Sequence, residues 1–380
     1  MICFVMVALA FIDGILGVFL PQIKPELGIN DTQASAIFVV NLLGFCVFTS
    51  IGGHLCDKIG SRKSFFLLLG TLLLFCLAML CAHTYARLIL LSFILYCALA
   101  ALTVTVNSFI PSLFTTSQAF FMSFFHLVNY GGTALSKTTA GLLIRHNVNW
   151  RFIYLIIAAI LIICLGLWHF SFFPAPVVPD TEKKPERTLP LKHIFSTAFF
   201  LYVAAVGGYL SSVTAMHNWF VNYAVISFHM NIAKASSVFS LFFIFSALGS
   251  VFLARFIKRV GEFKIVFLLS FAAFFLFLLG LLWRQTGLYL IALCGFFLSV
   301  TYPTTLVNIH TSFHLRPCFM LGLIVTAGSA INLIFTFVLG IANDVFGAHA
   351  SFYLVPLGLL VFSVSSFFIY LRQNTSLSEN

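Results

Sequence analysis

Two ionisable side chains stand clearly inside apolar stretches of this chain: Asp13 in the first and Lys137 in the fifth. An ionised group costs about 2.5–3.5 kcal/mol at the centre of a bilayer even on the milder insertion scales. Opposite charges at matching depth relieve each other's desolvation. Asp13 and Lys137 are therefore expected to pair, or to exchange partners during a cycle, with Asp13 able to take up a proton or other cation. A static ion pair between two helices, or an Asp13 that faces water, would leave the same two residues. A second set of polar side chains falls in the seventh stretch, which carries Tyr209, Ser212, His217, Asn218, Trp219, Asn222 and Tyr223. At about 3.6 residues per turn, Ser212, Asn218, Trp219, Asn222 and Tyr223 share a stripe that could line a cavity. Amides, hydroxyls and aromatic faces together suit a polar, uncharged ligand. Asn107 and His126 would extend the set earlier in the chain, and Tyr302, Thr304 and Asn308 later in it. The competing reading makes Trp219 and Tyr223 interfacial belt residues and has the asparagines bond neighbouring helices.

These residues need a particular setting, and composition supplies it. Of 380 residues, 61% are hydrophobic and only 8% charged, and the mean hydropathy is +1.09. A soluble exterior needs far more charge than this, so the chain reads as an integral membrane protein in contact with lipid. The apolar runs are about 20 residues long, which fits helices and not the roughly 10-residue alternating strands of a barrel. The formal charge of +10 would point to nucleic acid in a soluble protein. Here the cations gather in loops on one side, the positive-inside pattern of a bacterial inner membrane, and no nucleic-acid partner is expected. The nine cysteines are scattered with no C-x-x-C pair, so neither disulfide nor metal is inferred. No cofactor is implied, and no G-x-x-x-x-G-K-[ST], H-E-x-x-H or G-x-S-x-G pattern occurs, which argues against ATP as energy source and against an enzyme. The chain is expected to act as a monomer, and its start reads as a membrane helix and not as a signal peptide.

Twelve apolar segments can be placed, near 2–21, 32–54, 64–82, 87–111, 119–144, 151–173, 195–225, 234–256, 264–283, 286–308, 318–342 and 349–371. An even number puts both termini on one side. Lys58, Arg62, Lys63, Lys183, Lys184, Arg187, Lys192, Arg255, Lys258, Arg259, Lys264 and Arg316 share that side, against Lys24, Arg87, Arg145, Arg151, Lys234 and Arg284 opposite. Both termini are accordingly expected in the cytoplasm. A proline-rich, charged stretch between Pro174 and Lys192 reads as a linker. The expected organisation is an N-terminal six-helix half over 1–173, a linker over 174–193, a C-terminal half over 194–372 and a tail over 373–380. A shift of 201 residues lays 254–264 over 53–63 with matching glycine and basic character, a weak internal repeat.

The stretch Gly53–His54–Leu55–Cys56–Asp57–Lys58–Ile59–Gly60–Ser61–Arg62–Lys63 is a polar turn between two long apolar runs. Its pattern, G-x-L-x-D-K-x-G-x-R-K, resembles the signature loop of major facilitator superfamily transporters. That resemblance implies that Asp57 and Arg62 make charged contacts holding one alternating-access state, with Gly53, Gly60 and Lys63 completing the loop. Asn107–Ser108–Phe109–Ile110–Pro111, His217–Asn218–Trp219 through Tyr223, and Ser299–Val300–Thr301–Tyr302–Pro303–Thr304 are similar to segments of the fucose-permease-like sugar symporters. Two carboxylates usual in that branch are absent, since the corresponding neighbourhoods read Thr103–Asn107 and Val213. Gly132-x-x-x-Ser136–Lys137-x-x-Ala140–Gly141 resembles a stretch associated with antiporters, and small residues at this spacing also let helices approach closely.

The expected fold is an all-α integral membrane protein of twelve transmembrane helices in two pseudo-symmetric six-helix halves, the major facilitator fold. The expected function is secondary active transport of a small polar solute, with a sugar as the leading substrate and ion or proton coupling through Asp13 and Lys137. Efflux of amphipathic compounds is the alternative. A non-transporting membrane sensor stands behind both.

Overall fold

The computed structural model describes residues 2–59, 61–113, 118–169, 195–313 and 317–378, and all regular structure among them is helical. Hydrocarbon offers backbone groups no partner, so a long apolar run must pair its own N–H and C=O groups as a helix. The elements are α1 (Ile2–Ile12), α2 (Ile15–Leu27), α3 (Asp31–Ile59), α4 (Ser61–Ala78), α5 (Tyr85–Leu113), α6 (Gln118–Arg145), α7 (Ile153–His169), α8 (Thr197–Phe228), α9 (Ile232–Val260), α10 (Glu262–Leu282), α11 (Arg284–Leu298), α12 (Thr301–Ser312), α13 (Pro317–Ser351) and α14 (Val355–Ser378). Ten helical stretches among the described residues are long and apolar enough to cross a membrane. One of these covers 54 residues, Met320–Gln373, and is interrupted at Gly347, whose φ of 80° and ψ of 157° are not helical.

Three features differ from the sequence reading. The first apolar segment is two helices, broken at Asp13–Gly14. The tenth is also two, α11 and α12, and Pro303 explains the restart: it has no N–H to give to the Ser299 carbonyl and sits in the first turn of α12, where none is needed. Finally, the polar stretch expected as a loop is almost wholly helical. With 29 residues, α3 is about 43 Å long, longer than the ~30 Å hydrocarbon core, so its polar end emerges from the apolar layer still coiled. Ser64 Oγ then donates to the Leu55 carbonyl (3.0 Å) across the joint. Gly60 lies outside the described residues, as does the expected linker over 174–193.

Packing groups the described residues into two units. The first comprises the described part of Met1–Val177 with His217–Phe243 and Phe337–His349; the second comprises the described parts of Val178–Met216, Ile244–Thr336 and Ala350–Asn380. In the first, α1 packs on α6 and α7, α3 on α5, and α4 on α5 and α7. One end of this unit is tied by Arg151, which is almost fully buried. Its guanidinium donates to the Ala82 carbonyl through Nη2 (2.6 Å) and Nε (3.2 Å) and to Glu26 Oε1 (2.6 Å). The Trp150 indole N–H donates to the other Glu26 oxygen (2.8 Å). Three connections that are far apart in sequence are thereby joined at one point.

In the second unit, α10 packs on α11, α12 and α14. Ser212 Oγ on α8 donates to the Val355 carbonyl (2.8 Å), and Asn332 on α13 donates to Thr214 Oγ1 (3.0 Å). These two interior groups meet polar partners on other helices, which lipid cannot supply.

Candidate functional site

The break in the first apolar segment is held by three side chains. Gly14 has φ 63° and ψ 13°, a left-handed conformation that glycine adopts without a Cβ clash. Breaking the helix frees carbonyls that hydrocarbon would leave unpaired, each at a cost of several kcal/mol. The Phe11 carbonyl accepts from Ser136 Oγ (3.2 Å), the Ile12 carbonyl from the Tyr96 hydroxyl (3.5 Å), and the Asp13 carbonyl from Lys137 Nζ (2.7 Å). Tyr96 also accepts from the Gly14 N–H (3.1 Å). Deeper on the same face, Asn129 Nδ2 donates to the Met6 carbonyl (3.4 Å). So α6 lies along α1 as a row of donors. Gly132 sits in this row, and a Cβ there would come 3.0 Å from Ala10 Cβ and 3.1 Å from Val7 Cα. The small-residue stretch of α6 thus packs closely on α1 at Gly132, and on α9 at Gly141, where a Cβ would lie 3.0 Å from the Ala233 carbonyl and 3.1 Å from Ser236 Cβ.

The expected Asp13–Lys137 pair takes a different form. Lys137 is fully buried and bonds the main chain of Asp13, not its carboxylate. The reason is the break, which places a freed carbonyl and the negative end of α1 in front of the ammonium. The Lys137 Nζ also lies 5.9 Å from the centroid of the Phe243 ring. The Asp13 carboxylate, about half exposed, turns to the other side, with Oδ2 3.9 Å from His217 Nδ1. The absent side chain of Gly14 marks the meeting point, since a Cβ there would lie 3.1 Å from His217 Nδ1 and 3.2 Å from Lys137 Nζ. Three residues on, Gly17 lets α2 ride on the backbone of α8: its Cβ would be 2.5 Å from the His217 carbonyl and 2.7 Å from Asn218 Cα. His217 belongs to the polar set of the seventh stretch, but only this approach brings it to Asp13.

The other expected site residues of the first unit follow from α8. Asn218 is buried beside Gly17. Trp219 meets Phe38 of α3 edge to face (5.8 Å), and its buried indole N–H has no hydrogen-bond partner among the described residues. Both amide atoms of Asn222 are also buried without one. Tyr223 stacks on His349 (6.0 Å). Asn41 of α3 was not expected, yet both its amide atoms are buried and, among the described residues, unpartnered as well. A lone asparagine in an apolar run carries that signal, since an amide in hydrocarbon needs a partner.

In the second unit, Tyr302 stacks on Tyr209 (4.9 Å), and Ser212 is occupied by Val355. Asn308 Nδ2 donates to the Glu262 carbonyl (3.4 Å), tying the start of α10 to α12. Arg62 and Lys63 are exposed at the start of α4. The side chains of Asp57, Asn107 and His126, and the surroundings of Gly53, lie outside what the structure describes.

Discontinuous helices of this kind are a recurring feature of secondary transporters. The family comparison agrees. The model of the Major Facilitator Superfamily matches residues 2–320, and the chain belongs to this superfamily, as the signature loop led one to expect. A hexuronate transporter of Bacillus subtilis (strain 168) is 25% identical over 223 residues, 55% of this chain and 52% of that protein; the match thus spans about half the length of this curated relative. Among solved structures, a variant of the Escherichia coli fucose:proton symporter superposes with a TM-score of 0.67 at 18% identity, over 97% of each chain. A D-xylose-proton symporter gives 0.76 at 10% identity, over 97% of this chain and 95% of its own. A variant of a nucleoside transporter gives 0.75 at 13% identity, over 97% and 100%. At such identities these likenesses speak for the fold.

Proposed function

We propose that the chain is a secondary transporter that carries a small polyhydroxylated solute, a sugar or sugar-like compound, across the membrane by alternating access. The observation that carries the reading is the break at Asp13–Gly14, where a half-exposed carboxylate and the His217 imidazole stand 3.9 Å apart in an otherwise apolar bundle. The solutes named for the similar proteins, hexuronate, fucose, xylose and nucleoside, are all rich in hydroxyl groups. Amides such as Asn218, Asn222 and Asn41 match that chemistry, because each offers two donors and an acceptor to neighbouring hydroxyls. Asp13 supplies the coupling site: its carboxylate is accessible and, among the described residues, accepts no hydrogen bond, which leaves it open to a proton or other cation. Lys137 holds the break on which the carboxylate is mounted.

The proposal includes twelve spans, with α1–α2 and α11–α12 each counted as one, and six-helix halves over 1–173 and 194–372 joined by a linker over 174–193. The tail over 373–380 and both termini lie on the cytoplasmic side of a bacterial inner membrane in this reading, which the charge pattern supports. The working unit is a monomer.

The test is thermal stabilisation of the purified protein across sugars, sugar acids, nucleosides, amino acids and lipophilic cations, because a ligand that binds only the folded state raises its apparent stability. A shift with one sugar group, lost in Asn218→Ala, is the expected result. A shift with lipophilic cations alone would replace uptake by efflux.

A further inference from the structure

We propose that Asp344 is a latch: its carboxylate holds the Asp31 end of α3 against α13 in one state of the transport cycle and lets go in the other. The inference rests on the alternating-access reading above and concerns what closes this end of the first unit.

A helix begins with four N–H groups that have no partner within it. At the start of α3 each can be accounted for. The Ala34 N–H makes the first bond of the helix itself, to the Asn30 carbonyl (3.0 Å), so the four are those of Asn30, Asp31, Thr32 and Gln33. The Gln33 N–H bonds Asn30 Oδ1 (2.8 Å), and Gln33 Oε1 returns to the Asn30 N–H (3.0 Å), a reciprocal capping box. The two remaining donors, Asp31 N–H and Thr32 N–H, go to Asp344 Oδ1 (2.8 Å) and Oδ2 (2.7 Å), and Thr32 Oγ1 adds a third bond (2.5 Å). These partners are 312 and 313 residues apart in sequence. Because α3 carries its own cap, it does not need Asp344 to fold. The carboxylate therefore contributes to the closeness of α3 and α13, which is what an opening must undo.

Two neighbouring details fit that role. One turn before Asp344, Gly340 lies so near Ser35 and the Asp31 carbonyl that no Cβ fits, so the two helices touch at their backbones. Lys24 pairs with the Asp31 carboxylate (2.5 Å). Together with the positive end of α3, it offsets the two carboxylates brought to one place.

The experiment uses full-length protein with its native cysteines replaced and a single reporter, Ser35→Cys, buried beneath Gly340. Alkylation by a maleimide in detergent reports opening of the Asp31 end, and no solute is needed. Asp344→Ala is expected to raise the labelling rate about tenfold, Asp344→Asn less, since it keeps an acceptor oxygen but not the charge. Gly340→Val, which forces the helices apart, is expected to act like Asp344→Ala. Asn30→Ala removes the helix's own cap; it should lower the unfolding midpoint and leave labelling within twofold. A labelling rate in Asp344→Ala within twofold of the parent overturns the latch, as does an equal rise in Asn30→Ala. If Asp344→Ala does not fold, Thr32→Val is read instead, with a two- to threefold rise expected and no rise overturning the proposal. Failure here leaves the solute-binding reading intact, and an empty ligand panel leaves the latch untouched.

Discussion

Lys137 and Asp13 look alike in the sequence, two charges inside apolar runs, but the structure gives them different surroundings that mutation can separate. Lys137→Met leaves the Asp13 carbonyl without its donor, a loss of about 1–3 kcal/mol for an unsatisfied buried group, seen as a lower unfolding midpoint. Asp13→Asn changes an accessible carboxylate with no hydrogen bond and should stay within about 0.5 kcal/mol of the parent, while abolishing solute-driven proton uptake into vesicles. Equal destabilisation by both would restore the simple ion pair. The charge and depth of these residues were readable because ionised groups in hydrocarbon are conspicuous. Their relative geometry was not, since it depends on the break at Gly14, whose one local sign is the turn-forming Asp–Gly dipeptide. His217 was hidden for a related reason: it reaches Asp13 only because Gly17 admits the backbone of α8, and no periodicity within α8 records what lies across from it.

At the scale of elements, hydropathy located the spans because each must satisfy its backbone internally and expose apolar side chains to lipid. It blurred the ends, as at α3, where helix and hydrocarbon stop at different points. It also gave no hint that the connections after α2, α4 and α6 are gathered by one arginine, which the charge pattern counts merely as a cation on the sparsely charged side. Arg151→Met removes every bond of that cluster except Trp150 to Glu26 and leaves the Ala82 carbonyl and half of Glu26 without donors. A loss on the order of 3 kcal/mol is expected, measured by denaturation in detergent. Glu26→Gln should cost less, because its carboxylate is partly exposed and solvent can take over.

For the whole molecule, superfamily membership was legible in an eleven-residue signature, whereas the grouping of His217–Phe243 and Phe337–His349 with the N-terminal helices was not, because no pattern within a helix records what packs across from it. That grouping gives α2 an unexpected position. It is a 13-residue rod, about 20 Å long, pivoted at Gly14 beside the carboxylate and joined to α3 by only Gly28, Ile29 and Asn30, with Lys24 bridging the joint to Asp31. In the proposed cycle such a part is a connecting rod: a tilt of α3 on release from Asp344 would pass through so short a link to the pivot beside Asp13, the proposed coupling site. Slack in the link would cut the transmission. Three glycines inserted after Gly28 should leave solute binding within threefold but remove any effect of bound solute on Ser35→Cys labelling, and solute that still alters labelling in that variant would show the stroke to travel by another route.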